Sequence, residues 1–237
     1  MHDYLIREEM MFGPEAVQRL QAKHVAVFGI GGVGSYAVEA LARAGIGALT
    51  LVDNDTVGVS NLNRQLCALR STVGRNKSDV MTARVLDINP ECAVHSLPLL
   101  YNEENKAAFF DRQYDYIIDA IDLVSCKLSL IQNAMAQNIP IISAMGTGNK
   151  LDPTQFRIAD ISETSGCHLA RIMRRELRAR GILHHTVLYS QELPRKPLEL
   201  EPPPPGRRTV PASVSWVPSC AGLMLAGRVI QDLMNAE

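Results

Sequence analysis

Short apolar runs alternate with longer stretches of helical periodicity through the first two thirds of the chain. The runs cover residues 24–28, 48–52, 92–98, 115–121 and 139–144. Apolar runs of this length are typical of strands buried on both faces of a parallel sheet, and the stretches between them are typical of crossover helices. The pattern predicts an α/β fold: a Rossmann-like, doubly wound and mainly parallel sheet.

Glycine, asparagine and proline mark the ends of the predicted helices. These helices run from Val33 to Ala44, from Lys77 to Asn89 and from Asp122 to Asn138. After Pro153 the elements become shorter and mixed: a strand at 155–158, a helix at 165–180, a strand at 186–189 and a final helix at 220–234. The proline-rich residues 192–211 predict a flexible loop in this carboxy-terminal, antiparallel extension.

Composition limits the possible functions. A chain of 237 residues with 46% hydrophobic and 21% charged residues can form one large globular domain, and its net charge of −1 argues against general coating of nucleic acid. The five cysteines are widely spaced and form no C-x-x-C pair. This pattern fits a reducing cytoplasm and argues against a structural zinc site. Neither a secretory signal nor a membrane-spanning run is present, so no membrane association is expected.

A glycine-rich turn, Gly29-Ile30-Gly31-Gly32-Val33-Gly34, directly follows the first apolar run. Such a turn lets backbone N–H groups and the positive end of the next helix approach a phosphate. Asp53 lies 19 residues beyond Gly34, where a carboxylate can hold a ribose hydroxyl. By themselves these features also fit an NAD-binding Rossmann protein such as a dehydrogenase, which remains one alternative.

A second group of polar residues favours chemistry on ATP over hydride transfer. Asn61, Arg64 and Lys77 supply hydrogen-bond donors and positive charge for an α-phosphate under attack and for the leaving pyrophosphate. Asp122, at the carboxyl edge of run 115–121, could hold Mg²⁺ on those phosphates. The alternative for Asp122 is a helix N-cap, whereas Asp119 is expected to be structural.

These motifs together resemble those of a known superfamily. The matching positions are Gly29-x-Gly31-Gly32-x-Gly34, Asp53-x-Asp55, Asn61-x-x-Arg64-Gln65, Lys77 and Asp119-x-x-Asp122. They look like the adenylating superfamily of ubiquitin-activating enzymes and their bacterial ThiF/MoeB-type relatives. Residues 7–13, 32–36, 61–65 and 170–177 are similar to its tRNA threonylcarbamoyladenosine dehydratase branch.

The resemblance implies a function and roles for individual residues. It implies adenylation of the threonyl carboxylate of threonylcarbamoyladenosine in tRNA, next to the anticodon, followed by ring closure with net dehydration. It also implies ATP and Mg²⁺ as cofactors and a cytoplasmic homodimer as the active unit. Asp53 would bind the ribose, Arg64 and Lys77 the triphosphate, Asp122 the Mg²⁺, and Arg7 the ATP of the neighbouring subunit. The other nucleotide-binding positions would be Gly29, Gly31, Gly32, Gly34, Asp55, Asn61 and Gln65.

The same resemblance divides the single domain, residues 1–237, into three parts. These are an amino-terminal helix (1–22), a nucleotide-binding core (23–150) and a substrate- and tRNA-facing extension (151–237). An enzyme that adenylates a ubiquitin-like sulfur carrier is the main alternative function, and a sulfur-transfer protein is a further candidate partner. In that class Cys167 could form a thioester, but no residue that would activate it is evident.

The helix predicted at 165–180 carries clustered arginines. Leu169, Ile172, Met173 and Leu177 form its apolar stripe, and Arg171, Arg174, Arg175 and Arg178 occupy the remaining surface. Together with Arg195, Lys196, Arg207 and Arg208 of the nearby loop, they would suit an RNA phosphate backbone. The alternative is an ordinary solvated helix face.

Overall fold

The computed structural model of the chain describes residues 3–198, 200 and 211–235. Seven strands form one sheet: β1 His24–Phe28, β2 Ala48–Val52, β3 Ala93–Leu97, β4 Tyr116–Asp119, β5 Ile141–Ala144, β6 Phe156–Asp160 and β7 Thr186–Ser190. Their order is β3-β2-β1-β4-β5-β7-β6, and every adjacent pair is parallel except the antiparallel β6 and β7. The predicted fold class, with its antiparallel carboxy-terminal extension, is confirmed.

Helices cover both faces of this sheet. They are α1 Ile6–Phe12, α2 Pro14–Gln21, α3 Gly34–Arg43, α4 Lys77–Ile88, α5 Val124–Ala136, α6 His168–Ala179 and α7 Trp216–Asn235. Alternate residues of β1 point to opposite faces: Val25 and Val27 pack with α3, α4 and α7, while Ala26 and Phe28 pack with α5 and α6. The sheet is therefore buried on both sides, as its continuous apolar runs predict.

Helix α7 packs closely against α3 at Gly222. A Cβ atom at this position would lie 2.2 Å from the carbonyl oxygen of Val33 and 2.9 Å from Cβ of Tyr36. Only glycine allows the two backbones to approach this closely. The last helix of the chain thus supports the helix that follows the glycine-rich turn.

The amino-terminal segment forms two helices, so the prediction of a single helix over 1–22 is wrong. Gly13 has φ +85°, outside the helical region, and separates α1 from α2. Pro14 then begins α2, at the position where a missing N–H costs nothing.

Other boundaries shift by a few residues. Helix α5 begins at Val124 instead of Asp122, and α6 begins at His168 instead of Ser165. Helix α7 begins at Trp216, earlier than predicted, because a proline such as Pro218 is tolerated in a first turn. Most of the predicted flexible loop, with Arg207 and Arg208, lies outside the described residues. None of the described helices is both long and apolar enough to cross a membrane.

Candidate active site

A cleft of about 960 Å³ opens where β1, β2, β4 and β5 reach their carboxyl ends. Ligands of open α/β sheets bind at this edge, where crossovers leave in opposite directions. The cleft brings together most of the predicted nucleotide-binding residues: Gly29, Gly31, Gly32, Asp53, Asp55, Asn61, Arg64, Gln65, Lys77 and Asp122. Residues from separate parts of the sequence thus form one surface.

The glycine-rich turn is tight enough to require glycine. Gly29 has φ +89°, and a Cβ there would lie 2.6 Å from the carbonyl oxygen of Ala120. A Cβ at Gly34 would lie 1.8 Å from the carbonyl oxygen of Gly29. Gly34 is buried and shapes the turn without lining the cleft. The backbone at the cleft floor is therefore free of side chains.

Asp53, just beyond β2, is oriented by the glycine-rich turn itself. Its Oδ2 accepts a hydrogen bond from the Ile30 N–H at 2.6 Å, and its Oδ1 accepts one from the Asp55 N–H at 2.8 Å. Burial raises the pKa of this carboxyl, and the positive charge of Lys77 opposes that rise. The carboxylate is thus fixed at the cleft as an acceptor suited to a ribose hydroxyl.

Lys77 occupies the first position of α4 and is held by Asp55. Its Nζ lies 2.7 Å from Asp55 Oδ2, and its backbone N–H donates to the Asp55 carbonyl oxygen at 3.1 Å. The Lys77 side chain is 6% exposed, whereas that of Asp55 is 62% exposed. A buried ammonium beside a helix N-terminus concentrates positive potential where phosphates would bind.

Arg64 and Asn61 are positioned by a short helical turn after β2. Arg64 Nη1 donates to the Ser60 carbonyl oxygen at 2.9 Å and to Asn63 Oδ1 at 2.8 Å, and burial lowers the pKa of the guanidinium. Asn61 Oδ1 accepts from the Gly58 N–H at 3.0 Å. These bonds hold both side chains in the cleft wall.

Two aspartates, Asp119 at the end of β4 and Asp122 in the loop before α5, lie in different environments. Asp119 is fully buried, with Oδ2 2.8 Å from Lys127 Nζ and Oδ1 accepting from the Ile121 N–H at 3.1 Å. Lys127 Nζ also donates to the Ile121 carbonyl oxygen at 3.1 Å. Asp122 is exposed in the cleft wall, and the N-cap of α5 is Leu123. The N-cap alternative for Asp122 is therefore wrong, and Asp119 has a structural environment.

Arg7 and the arginines of α6 lie outside the cleft lining. Arg7 is exposed on α1. Arg174 is half-buried and donates to the Thr164 carbonyl oxygen at 2.7 Å, while Arg175 and Arg180 both pair with Glu176. The predicted arginine surface is thus partly engaged within the protein, and Arg171, Arg175 and Arg178 are its exposed members.

Sequence reasoning missed Lys150, which lies in the loop after β5, is 4% exposed and lines the cleft. Cys167, considered from the sequence as a thioester-forming residue, also lines the cleft, directly before α6. The ring of the adjacent His168 is hydrogen-bonded to Arg171, with Nδ1 2.8 Å from Nη2. A lone lysine among loop residues has no local pattern that could have revealed its burial.

Comparisons with known proteins agree with this geometry. Over 238 aligned residues the chain is 45% identical to tRNA threonylcarbamoyladenosine dehydratase of Bacillus subtilis, covering 97% of this chain and 94% of that protein. It is 47% identical to the protein of the same name from Haemophilus influenzae, over 78% of this chain and 69% of the relative.

A solved structure extends the similarity to three dimensions. The crystal structure of E. coli tRNA N6-threonylcarbamoyladenosine dehydratase, TcdA, in complex with ATP superposes with a TM-score of 0.86. The two chains are 35% identical, and the match covers 95% of this chain and 91% of that one. The ThiF family model matches residues 6–237, so the resemblance seen in the motifs is confirmed and the chain belongs to the ThiF family.

Proposed function

We propose that this protein catalyses the ATP-dependent cyclisation, a net dehydration, of threonylcarbamoyladenosine in tRNA next to the anticodon. The observation that carries the proposal is the single cleft in which Arg64, Lys77 and Asp122 meet the glycine-rich turn. The similarity to dehydratases over nearly the whole chain supports this substrate. The enzyme is an adenylating one of the ThiF type.

The reaction has two steps. In the first, an oxygen of the threonyl carboxylate attacks the α-phosphorus of ATP, and the bond to pyrophosphate breaks. Negative charge develops on the phosphoryl oxygens and on the leaving group, where Arg64 and Lys77 would stabilise it. In the second, a group already tethered to the activated carboxyl attacks it, closes the ring and expels AMP. Because both reacting groups belong to one molecule, proximity supplies much of the acceleration.

The cleft suits a magnesium ion bound together with the phosphates. Magnesium in such sites is held by one or two carboxylates, with phosphate oxygens and waters completing the octahedron. Asp122 presents an exposed carboxylate in the cleft wall, on the loop between β4 and α5. Asp122 would therefore hold the ion, which would neutralise charge on the departing phosphates.

The test is nucleoside analysis of tRNA after incubation with the protein. Transfer RNA carrying threonylcarbamoyladenosine should yield the cyclic nucleoside when ATP and Mg²⁺ are present, with AMP and pyrophosphate formed in equal amounts. Unchanged nucleoside, together with adenylation of a ubiquitin-like sulfur carrier, would support the main alternative. Binding of NAD in preference to ATP would support the dehydrogenase alternative.

We also propose that the active unit is a homodimer. Helix α1 buries none of its residues and exposes apolar side chains, including Ile6, Met10 and Met11 at 48%, 75% and 78%. A helix that exposes several large apolar side chains is suited to an interface between copies. Arg7 lies on this helix and would reach the nucleotide of the neighbouring subunit. The five free cysteines support a cytoplasmic location.

A mixture of two inactive chains should regain activity if Arg7 acts across the interface. A hybrid dimer of Arg7→Ala and Lys77→Ala chains has one intact site, in the Arg7→Ala subunit. Random exchange should therefore restore about one quarter of wild-type turnover in a symmetric dimer. Subunit exchange is verified separately by mass spectrometry of differently labelled chains. Activity no greater than that of the separate variants, despite proven exchange, would place Arg7 in its own subunit's site or in none.

We further propose that exposed arginines of α6 bind tRNA phosphates. If they do, replacing Arg171, Arg175 and Arg178 by glutamine should flatten the log–log dependence of tRNA affinity on salt by roughly 0.7 to 0.9 per lost contact. The affinity for ATP should not change, because these side chains lie outside the nucleotide-binding residues. Fluorescence titration with labelled tRNA at several salt concentrations measures the slope.

Arg174 provides the matched control on the same helix. Because its guanidinium bonds to Thr164, Arg174→Gln should lower the melting temperature while leaving the salt slope nearly unchanged. An unaltered slope in the triple variant would mean that the arginines form only a solvated face.

A further inference from the structure

The cleft extends well beyond the residues assigned to the nucleotide. Its other part, here named the acceptor half, is lined by 145–148, Lys150, 167–169, Pro194 and 211–213. None of these residues belongs to the motifs for ribose, phosphate or Mg²⁺. The acceptor half is continuous with the nucleotide-binding part, so a molecule placed there could reach a bound ATP.

Lys150 contributes a buried positive charge to this acceptor half. Its side chain donates from Nζ to the carbonyl oxygens of Ser190, at 3.3 Å, and Glu192, at 2.7 Å. An ammonium group has three N–H donors, so two carbonyls leave one donor over. The carboxylate of Glu192 is itself bound to the backbone N–H groups of Leu151 and Asp152.

The other buried lysines show how unusual this arrangement is. Among the residues that the structure describes, Lys77, Lys127 and Lys150 are the buried lysines, each no more than 4% exposed. Lys77 pairs with Asp55 at 2.7 Å and Lys127 with Asp119 at 2.8 Å. For Lys150, no described carboxylate lies within ion-pair distance. Its ammonium is hydrogen-bonded to two neutral carbonyl oxygens, and the carboxylate of Glu192 acts on it only from a longer distance.

A buried ammonium without a carboxylate partner is costly to maintain. Carbonyl oxygens satisfy hydrogen bonds but do not neutralise the charge, and the low dielectric of the interior strengthens attraction to any anion that arrives. Burial accordingly lowers the pKa of Lys150. A negatively charged ligand in the acceptor half would complete both the hydrogen bonding and the charge balance of this group.

Glycine backbone borders the cleft beside Lys150. Gly146 and Gly148 lie in the loop that leads to Lys150, and both line the cleft. Around Gly146 the nearest atoms that a Cβ would meet are Cys167 Sγ and Leu169 Cβ, both at 3.8 Å. At Gly148 a Cβ would lie 3.0 Å from Cβ of Pro211, so only glycine fits there without displacing the neighbouring segment.

We infer that Lys150 binds the threonyl carboxylate of the substrate and positions it for attack on the α-phosphate. The inference rests on the proposed function and adds to it the residue that recognises the nucleophile. The phosphates have Arg64 and Lys77 in the other part of the cleft, whereas the carboxylate is the remaining anion of the reaction. The alternative is that Lys150 has only a structural role at the end of β7. It would then make the same hydrogen bonds to the two carbonyl oxygens, and the protein would not prefer a charged ligand.

The decisive experiment compares two ligands on the wild-type protein. Calorimetry in the presence of AMP would measure binding of the threonylcarbamoyladenosine nucleoside and of its methyl ester, which lacks the negative charge. Since the nucleoside would gain a charge-assisted hydrogen bond, it should bind about ten- to one-hundred-fold more tightly than the ester. Equal affinity, or binding of neither ligand, overturns the inference.

Variants assign this preference to Lys150. Lys150→Met should abolish the discrimination and lower kcat/KM for tRNA by a similar factor, with AMP affinity unchanged, while Lys150→Arg should retain part of both. The control is Lys23→Met, because Lys23 pairs with Asp115 away from the cleft. Retained discrimination in Lys150→Met would overturn the role of Lys150.

Two controls separate the inference from the function on which it rests. If wild-type protein fails to cyclise the tRNA nucleoside, the proposed function itself fails. If wild-type protein cyclises it but does not distinguish acid from ester, only the inference fails. Should Lys150→Met not fold, the wild-type ligand pair and Lys150→Arg still decide the matter.

Discussion

Replacing Lys77 by alanine is expected to lower the rate of pyrophosphate release by about two to three orders of magnitude, the usual effect of removing one preorganised charge-stabilising group. Lys77 is suited to this role because it is buried, held at 2.7 Å by Asp55 and located at the N-terminus of α4. Nothing else in the described cleft combines a buried ammonium with a helix N-terminus in this way. Single-turnover assays with saturating tRNA and ATP measure the effect.

Folding should survive this substitution. The partner left behind, Asp55, is 62% exposed and can be solvated by water. In this variant the pKa of Asp53 should be higher than in the wild-type protein. The reason is that burial raises this pKa and the positive charge of Lys77, now removed, opposes the rise. A stable variant that keeps more than about one tenth of wild-type turnover would contradict the assignment of Lys77.

The second large effect is a contrast between two aspartates three residues apart. Asp122→Ala should reduce turnover by about two to three orders of magnitude and weaken the dependence of the rate on Mg²⁺, with little change in stability, because the side chain is exposed. Asp119→Ala should instead lower the free energy of unfolding by about 3–5 kcal/mol, because it leaves the ammonium of Lys127 buried without a partner. Mg²⁺ titrations of activity and urea unfolding measure the two outcomes.

A double variant tests the structural half of this contrast. Asp119→Leu combined with Lys127→Met removes both charges, so it should lose much less stability than Asp119→Ala alone. Equal instability of the single and double variants would show that the site requires the ion pair for another reason. An active Asp122→Ala protein would remove Asp122 from the reaction.

Much of the fold is predictable from the sequence, because buried parallel strands produce continuous apolar runs. Part of the predicted nucleotide site follows from the same pattern, because Gly29 and Asp53 come directly after β1 and β2, and the carboxyl ends of parallel strands meet at one edge. Arg64 and Lys77 lie farther along the chain and are assigned with the help of the motif resemblance. The first residues of the helices are harder to predict from the sequence. Asp122 looks like a helix start, yet the chain continues to Leu123 before α5 begins, because Asp119 and Lys127 hold the intervening backbone at Ile121.

The parts that sequence does not reveal depend on contacts between distant segments. Lys150 is buried because the chain returns to it at Ser190 and Glu192, some forty positions later. In the sequence, Arg174 has the same pattern as the solvent-facing arginines of α6, and only the fold places Thr164 beside it. In both cases the neighbour that decides the role is supplied by tertiary structure, and no local spacing encodes it.

The packing of α7 on α3 also determines what a carboxy-terminal truncation would remove. The glycine-rich turn and Lys77 are translated early, but Gly222 and the buried face of α7 complete the core beneath α3. Contacts so distant in sequence form late and slow folding. A chain truncated before α7 would therefore keep every predicted nucleotide-binding motif and lose the helix that packs against α3.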